Sequence, residues 1–256
     1  MSLGSDFMLK ACAFDLGNTL VNDTKIFHET ITATENWLHQ NDFLPKNCSF
    51  VRNYMKVNRE TNIPFISHTF GELVFFEKTF RKLKIVSITP EQGLLQFRRI
   101  MLQKMKLEPG IKDALAFLHD QGLKTALLTN ESKPRVQAFL DKTTSRDLFD
   151  EVVVSHEVGY EKPDPRFFKE ALQRLEIEPS ELAMFGDNEI ADGACKKLGI
   201  LFVLVTAMKK KGWCWKHGKA YSPDYLIGRI DPESIARFLI FAAADKGATD
   251  KNGVIL

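Results

Sequence analysis

The chain has 256 residues, 44% of them hydrophobic and 27% charged, with 35 Lys plus Arg against 33 Asp plus Glu. This balance excludes a disordered chain, and a net charge of +2 gives no field that would mark nucleic acid or an anionic membrane as the partner. No apolar stretch reaches the roughly 18 residues of a membrane span, and the four cysteines are widely spaced, which is typical of free thiols in a reducing compartment. We therefore expect a cytoplasmic protein.

Five short apolar runs, each bounded by turn residues, predict β-strands. Their hydrophobicity is continuous rather than alternating, which is typical of strands buried on both faces of a parallel sheet. Helical patterns follow the later runs, and repeated strand-helix units indicate a doubly wound α/β fold. The predicted strands cover residues 10–14, 124–128, 151–155, 182–185 and 201–205.

The helices that connect these strands have recognisable ends. Asp164-Pro165 and Asp231-Pro232 each place a side-chain acceptor at an N-cap and a proline at the first helical position. Gly122 and Gly199 follow helical runs at positions where a positive φ angle ends a helix. These signals predict helices that begin near residues 165 and 232.

More than 100 residues separate the first predicted strand from the second, far more than one crossover helix needs. Their apolar residues recur at steps of three and four, which predicts amphipathic helices without strands. We therefore predict a helical insert over residues 23–106, an α/β core made of residues 8–22 and 107–245, and a polar tail over residues 246–256. The helical stripes are Leu73, Phe76, Phe80 and Leu83, and then Leu94, Phe97 and Met101.

Four polar segments lie at the predicted carboxyl ends of strands or in the loops that follow them. Open α/β sheets build their ligand sites at that edge, so these side chains should converge. The candidates are Asp15 in Asp-Leu-Gly-Asn-Thr, Thr129 and Asn130 after the second strand, Lys162 before a helix N-terminus, and the pair Asp187 and Asp192.

Together these groups have the chemistry that phosphoryl transfer requires. A phosphate dianion repels a carboxylate nucleophile such as Asp15, so Lys162 and a metal ion must first neutralise charge. Mg²⁺ prefers oxygen ligands from one or two carboxylates, which Asp187 and Asp192 could supply with Asp15. We therefore expect Mg²⁺ as the cofactor and a small phosphorylated metabolite as the substrate.

The same four segments resemble the motifs of the haloacid dehalogenase-like hydrolase superfamily: Asp-x-Asp-x-Thr, a Ser or Thr, a Lys, and Gly-Asp followed by a second Asp. Further similar segments occur at residues 109–111, 122–130, 158–165 and 222–227, and the resemblance covers about residues 9–240. It implies a Rossmann-like core, with the helical insert acting as a C1 cap that closes over the site and selects substrate.

The resemblance also implies a role for each candidate residue. Asp15 would be the nucleophile that forms an aspartyl-phosphate, and Lys162 would neutralise it together with the phosphate. The backbone carbonyl of Gly17 would bind Mg²⁺, which Asp187 and Asp192 would bind or orient. The remaining two candidates, Thr129 and the backbone amide of Asn130, would hold the phosphoryl oxygens.

The chain departs from the family pattern at Gly17, where phosphatases of the family usually carry a second Asp that acts as general acid and base. Loss of such a group typically costs about 10² to 10⁴ in rate. Three interpretations remain open. In the first, the protein is a phosphatase in which water or a nearby acid such as Asp23 moves the proton. In the second, it cleaves phosphonates through a Schiff base on a cap lysine, with Lys56 as the candidate. In the third, it binds a ligand or partner without turnover.

Two further features bear on partners and reaction. A basic and aromatic loop over residues 209–219 could contact a phosphate or nucleic acid, but a single loop of this kind is more typical of solvated surface. True haloacid dehalogenation is disfavoured, because that branch uses no metal and has a bulky aromatic residue two positions after the nucleophile, where this chain has Gly17. We expect no nucleic-acid partner.

Overall fold

The computed structural model describes residues 9–61, 68–209 and 218–244. The predicted tail over residues 246–256 and most of the basic loop over residues 209–219 lie outside the described residues. Among the described residues, no helix is both long and apolar enough to cross a membrane.

The core of the fold is a six-stranded sheet in which every neighbouring pair is parallel, in the order β3-β2-β1-β4-β5-β6. The central strand β1 is fully buried and lies between β2 and β4, with Phe14 opposite Leu127 and Phe185. Its continuous hydrophobicity follows from burial on both faces. The strands are β1 Ala11–Phe14, β2 Lys124–Thr129, β3 Glu151–Val154, β4 Leu182–Gly186, β5 Leu201–Val205 and β6 Tyr225–Ile227.

The structure confirms the predicted α/β class and all five predicted strands, with ends that differ by one residue at most. Sequence analysis did not predict β6, because its run of three residues is shorter than the runs that indicate a strand. It lies at the edge of the sheet, where Leu226 is largely exposed. The helix expected after Asp187 is a 3₁₀ helix over Gly193–Leu198 rather than an α-helix.

Helices cover both faces of this sheet and begin and end at the predicted signals. The Asp164 side chain accepts a hydrogen bond from the Arg166 backbone amide, and Asp231 accepts one from the Ser234 amide. The helices that belong to the core are α5 Ile111–Asp120, α6 Lys133–Thr143, the one-turn α7 Ser155–Val158, α8 Pro165–Leu175 and α9 Pro232–Ala244.

The segment between β1 and α5 is helical, as predicted. It contains α1 Asp23–Gln40, α2 Phe50–Glu60, α3 His68–Leu83 and α4 Pro90–Lys104. Buried aromatic rings join three of these helices; the Phe76 ring, for example, lies 5.4 Å from that of Phe50 and 5.7 Å from that of Phe97. A Cβ atom at Gly93 would lie 2.5 Å from the Phe80 ring, so glycine permits this close packing.

The helical insert is attached to the core by polar contacts. The Lys142 ammonium on α6 donates hydrogen bonds to three carbonyls at the end of α4: Leu102 at 2.7 Å, Gln103 at 2.6 Å and Met105 at 2.8 Å. The last carbonyls of a helix have no partner within it, so a cation there satisfies them. This contact holds the carboxyl end of α4 against α6.

Candidate functional site

Asp15 directly follows β1 at the carboxyl edge of the sheet. Its backbone amide donates a 2.9 Å hydrogen bond to the Phe185 carbonyl on β4, and 9% of the residue is exposed. The turn beyond it depends on Asn18, which has a φ of 55° and whose side chain accepts a hydrogen bond from the Thr24 amide at 2.9 Å. Asparagine tolerates this left-handed conformation, so the turn forms without a glycine at this position.

Lys162 lies at the centre of the site and is 2% exposed. Its ammonium donates hydrogen bonds to Oδ1 of Asp15 and to Oδ1 of Asp192, both at 2.6 Å, and to the Leu128 carbonyl at 2.9 Å. All three ammonium protons therefore have acceptors. Burial opposes the charge, but the two carboxylates raise the pKa of Lys162 above its ordinary value, so the side chain is a cation.

Asn130 has a role that sequence analysis missed. Its side-chain amide donates to the Lys162 carbonyl and its side-chain oxygen accepts from the Lys162 amide, both at 2.8 Å. This paired contact fixes the backbone of Lys162, 32 positions further along the chain. The neighbouring Thr129 ends β2 and is 2% exposed, at the same edge of the sheet.

The acidic residues Asp15, Asp187 and Asp192 converge as predicted. Each offers an oxygen atom, and these atoms all lie within 4.8 Å of one another. Asp192 reaches the cluster only because residue 186 is glycine: a Cβ atom there would lie 2.2 Å from Oδ2 of Asp192. The same oxygen accepts a 3.1 Å hydrogen bond from the Asn188 amide, a second contact that sequence analysis missed.

Three carboxylates in one cluster, one buried and two partly buried, favour a bound cation. Burial, followed by the charges of Asp192 and Asp15, raises the pKa of Asp187 to about 8. Burial also raises the pKa of Asp15, which Lys162 lowers only in part. A donor set of carboxylate oxygens fits Mg²⁺, and a divalent cation would compensate the charge that Lys162 leaves unbalanced. The residues present therefore fit the expected metal.

The space beside Gly17 is occupied by Asp23, the first residue of α1. A Cβ atom at Gly17 would lie 3.6 Å from the Cβ of Asp23 and 3.8 Å from its Oδ2. Oδ1 of Asp23 accepts a 3.0 Å hydrogen bond from Arg135, which also donates to Glu131 at 2.7 Å. A carboxylate thus lies close to the position where the family pattern has its second Asp, and an arginine orients it.

Lys56 has none of the features that Schiff-base chemistry requires. Its side chain is 55% exposed on α2 and pairs with Glu60 at 3.7 Å, one helical turn away. Lysine nucleophiles are activated by desolvation or by a neighbouring cation, and this ammonium has a carboxylate neighbour and solvent. The geometry favours the solvated surface role over the phosphonatase interpretation.

Comparison with known proteins settles the family. The model of the haloacid dehalogenase-like hydrolases matches residues 9–198, about three quarters of the chain. The chain belongs to the haloacid dehalogenase-like hydrolases. The matched residues include all seven candidates of the site and the whole helical insert.

Individual relatives have low sequence identity to this chain. The chain is 26% identical to a phosphorylated carbohydrates phosphatase of Thermotoga maritima over 56% of this chain and 63% of that protein, a little less than two thirds of its length. It is 23% identical to pyrophosphatase PpaX of Bacillus mycoides over 85% of this chain and 91% of that one.

Solved structures share the fold over almost the whole chain. A HAD-hydrolase of Bacillus subtilis, YfnB, bound to magnesium, gives a TM-score of 0.69 at 16% identity, covering 91% of this chain and 99% of that one. A HAD phosphatase of Thermococcus onnurineus gives 0.63 at 20% identity, covering 90% and 97%. At such identities the likeness establishes the Rossmann-like fold and leaves the substrate open.

Proposed function

We propose that this hydrolase is a Mg²⁺-dependent phosphatase of small phosphomonoesters that works through an aspartyl-phosphate on Asp15. The observation that carries the proposal is the buried Lys162 ammonium, 2.6 Å from both Asp15 and Asp192, beside a cluster of three carboxylates. The phosphatase names of two relatives support the same reaction class.

Asp15 is the nucleophile in this mechanism. Its Oδ1 accepts the hydrogen bond from Lys162, which orients the carboxylate and leaves Oδ2 for attack on phosphorus. The new oxygen-phosphorus bond forms as the ester bond breaks, and the leaving alkoxide takes a proton from Asp23 in its protonated form. Water then attacks phosphorus and gives a proton to the Asp23 carboxylate, which releases inorganic phosphate and regenerates both Asp15 and Asp23.

The other residues neutralise and position charge. Lys162 reduces the repulsion between Asp15 and the incoming dianion, while Thr129 and the backbone amide of Asn130 hold the phosphoryl oxygens. Asp15, Asp187, Asp192 and the carbonyl of Gly17 would hold Mg²⁺. When bound, the ion supplies Lewis-acid stabilisation of the charge on the phosphoryl oxygens.

The leaving alkoxide still requires a proton, and Gly17 has no side chain to give one. Asp23 lies beside the space where that side chain would be, and Arg135 holds it there. This placement supports the phosphatase interpretation over a binding module without turnover. The helical insert that carries Asp23 would act as the cap of the site.

Phosphate release tests the proposal. Wild type and Asp15→Asn are compared on para-nitrophenyl phosphate and on alkyl and sugar phosphates, in Mg²⁺ and in EDTA. We expect release that requires Mg²⁺ and disappears in Asp15→Asn. If both proteins are inactive on every ester but still bind the phosphate esters, the binding-module interpretation is favoured. Release from phosphonoacetaldehyde alone would favour the phosphonatase interpretation.

A further inference from the structure

A cavity of about 760 Å³ lies between the helical insert and the core. Helix α4 lines one side with Leu95, Arg99 and Leu102, and α6 lines another with Pro134 and Ala138. From residue 95 to residue 102 the α4 wall extends about 10 Å at 1.5 Å per residue.

One end of this cavity approaches the candidate site. Its lining includes Ser132, which lies two positions after Asn130, and His156, which lies two positions after the end of β3. Both belong to the carboxyl edge of the sheet. Strand β3 is two strands from β1, and neighbouring strands lie about 4.8 Å apart, so this end is about 10 Å from the Asp15 strand.

Arg135 belongs to both the cavity and the site. Its side chain lines the cavity, and its Nη2 atom donates to the Asp23 carboxylate that lies against Gly17. Its Nε atom is buried and has no hydrogen-bond partner among the described residues. Arg98 and Arg99 line the same cavity, and Arg98 pairs with its one acidic residue, Glu72, at 3.1 Å.

Much of the cavity is apolar. Trp37, Phe43 and Ile88 line it together with Met101, and the exposed side chain of Leu95 adds a further apolar surface. Such walls offer few partners for hydroxyl groups, and a buried hydroxyl without a hydrogen bond is costly. Walls of this kind suit an alkyl or aryl group better than a sugar ring.

None of the seven candidate catalytic, phosphate-binding and metal-binding residues lines the cavity. Its chemistry and its position beside the site assign it to the part of a substrate that does not react. We propose that the cavity binds the alcohol part of the substrate, an inference that rests on the proposed function. The preferred substrates are then phosphomonoesters of apolar alcohols with an alkyl or aryl group.

A chain-length series tests this substrate class. We would measure kcat/KM for ethyl, butyl, hexyl and octyl phosphate and for glucose 6-phosphate, with para-nitrophenyl phosphate as the reference. Burial of one methylene is worth about 0.8 kcal/mol, so kcat/KM should rise by about fourfold for each methylene that enters the cavity, until the cavity is filled. Glucose 6-phosphate should be a poorer substrate than hexyl phosphate.

Two exposed residues of the helical insert give matched variants. Leu95→Glu places a charge in the cavity, whereas Val86→Glu changes a residue that is 90% exposed and does not line it. Leu95→Glu should lower kcat/KM for octyl phosphate at least tenfold and leave ethyl phosphate unchanged, while Val86→Glu changes neither. Ala138→Trp, which fills the cavity from α6, should act as Leu95→Glu does.

The outcomes separate this inference from the proposed function. Suppose that the protein turns over para-nitrophenyl phosphate while kcat/KM for the alkyl phosphates does not change with chain length, or changes equally in wild type and all three variants. Either result would overturn the substrate class and leave the proposed phosphatase activity intact. Non-competitive inhibition by octanol would also overturn it, because the cavity would then be a separate site. Inactivity on every ester would contradict both.

Discussion

The ammonium of Lys162 donates a 2.6 Å hydrogen bond to Oδ1 of Asp15, although 147 positions separate the two residues in the chain. The same ammonium holds Asp192, so one buried cation organises the proposed nucleophile and part of the proposed metal site. Removal of Lys162 would leave two buried carboxylates without their cation.

Lys162→Met should abolish phosphate release and also destabilise the fold. Loss of one partner of a buried ion pair typically costs about 3–5 kcal/mol in the free energy of unfolding. Urea denaturation and phosphate release measure the two effects. Lys133→Met is the matched control, because its side chain is 61% exposed and should change neither. A fully active Lys162→Met protein would contradict the proposed role.

Asp23→Asn should slow the release of poor leaving groups more than that of good ones. An alkyl ester needs a proton on its leaving oxygen, and loss of a general acid typically costs about 10² to 10⁴ in rate. Para-nitrophenyl phosphate needs little such help and should lose much less. The measurement is the ratio of kcat for an alkyl phosphate to kcat for para-nitrophenyl phosphate, in wild type and in Asp23→Asn.

Gly17→Asp in the Asp23→Asn background should restore alkyl ester turnover. The nearest atoms to a Cβ at position 17 are 3.6 to 3.8 Å away, an ordinary contact distance, so a Cβ is accommodated there without strain. Asp113→Asn, an exposed carboxylate on α5, is the control. If Asp23→Asn affects aryl and alkyl esters alike, its effect comes from the lost Arg135 contact and not from proton transfer.

The stabilisation of the protein by Mg²⁺ should grow with pH. The Asp187 pKa is raised from 3.8 to about 8, so between these values the folded protein retains a proton that the unfolded chain releases. Without metal, this group therefore lowers the free energy of unfolding as pH rises through that range. Mg²⁺ favours the ionised carboxylate and should offset the loss.

Thermal denaturation in Mg²⁺ and in EDTA between pH 5 and pH 8 measures this effect. At a concentration of 100 times Kd, Mg²⁺ would add about 2.7 kcal/mol, or roughly 5 to 11 °C in Tm for a chain of this size. Asp187→Asn should remove most of the increment. A Tm increment that is independent of pH would contradict the assignment of Asp187 to the metal site.

Lys142→Met should weaken the attachment of α4 to α6 without changing the candidate site. The lysine bonds three carbonyls at the end of α4, and a net loss on the order of 1–3 kcal/mol is expected for charged hydrogen bonds at a partly exposed position. Hydrogen exchange of α4 amides should increase relative to Lys106→Met, the exposed control. Unchanged exchange would show that other contacts hold α4.

The sequence predicted which edge of the sheet carries the candidate site because its signals are local. Asp15 and Asp187 each follow a continuous apolar run, and parallel strands bring their carboxyl ends to one edge. The Asp23–Arg135 pair joins residues 112 positions apart, and no periodicity encodes such a contact. The cavity likewise arises only where α4 and α6 pack, so its chemistry becomes visible in three dimensions.

Capture of the phosphorylated enzyme tests the proposed mechanism most directly. Wild type and Asp15→Asn would be mixed with Mg²⁺ and para-nitrophenyl phosphate, quenched in acid within milliseconds and examined by peptide mass spectrometry. We predict one phosphoryl group on the peptide that contains Asp15, confirmed by borohydride reduction of the acyl phosphate, and none in the variant. Rapid turnover in wild type with the phosphoryl group on another residue would contradict an aspartyl-phosphate on Asp15.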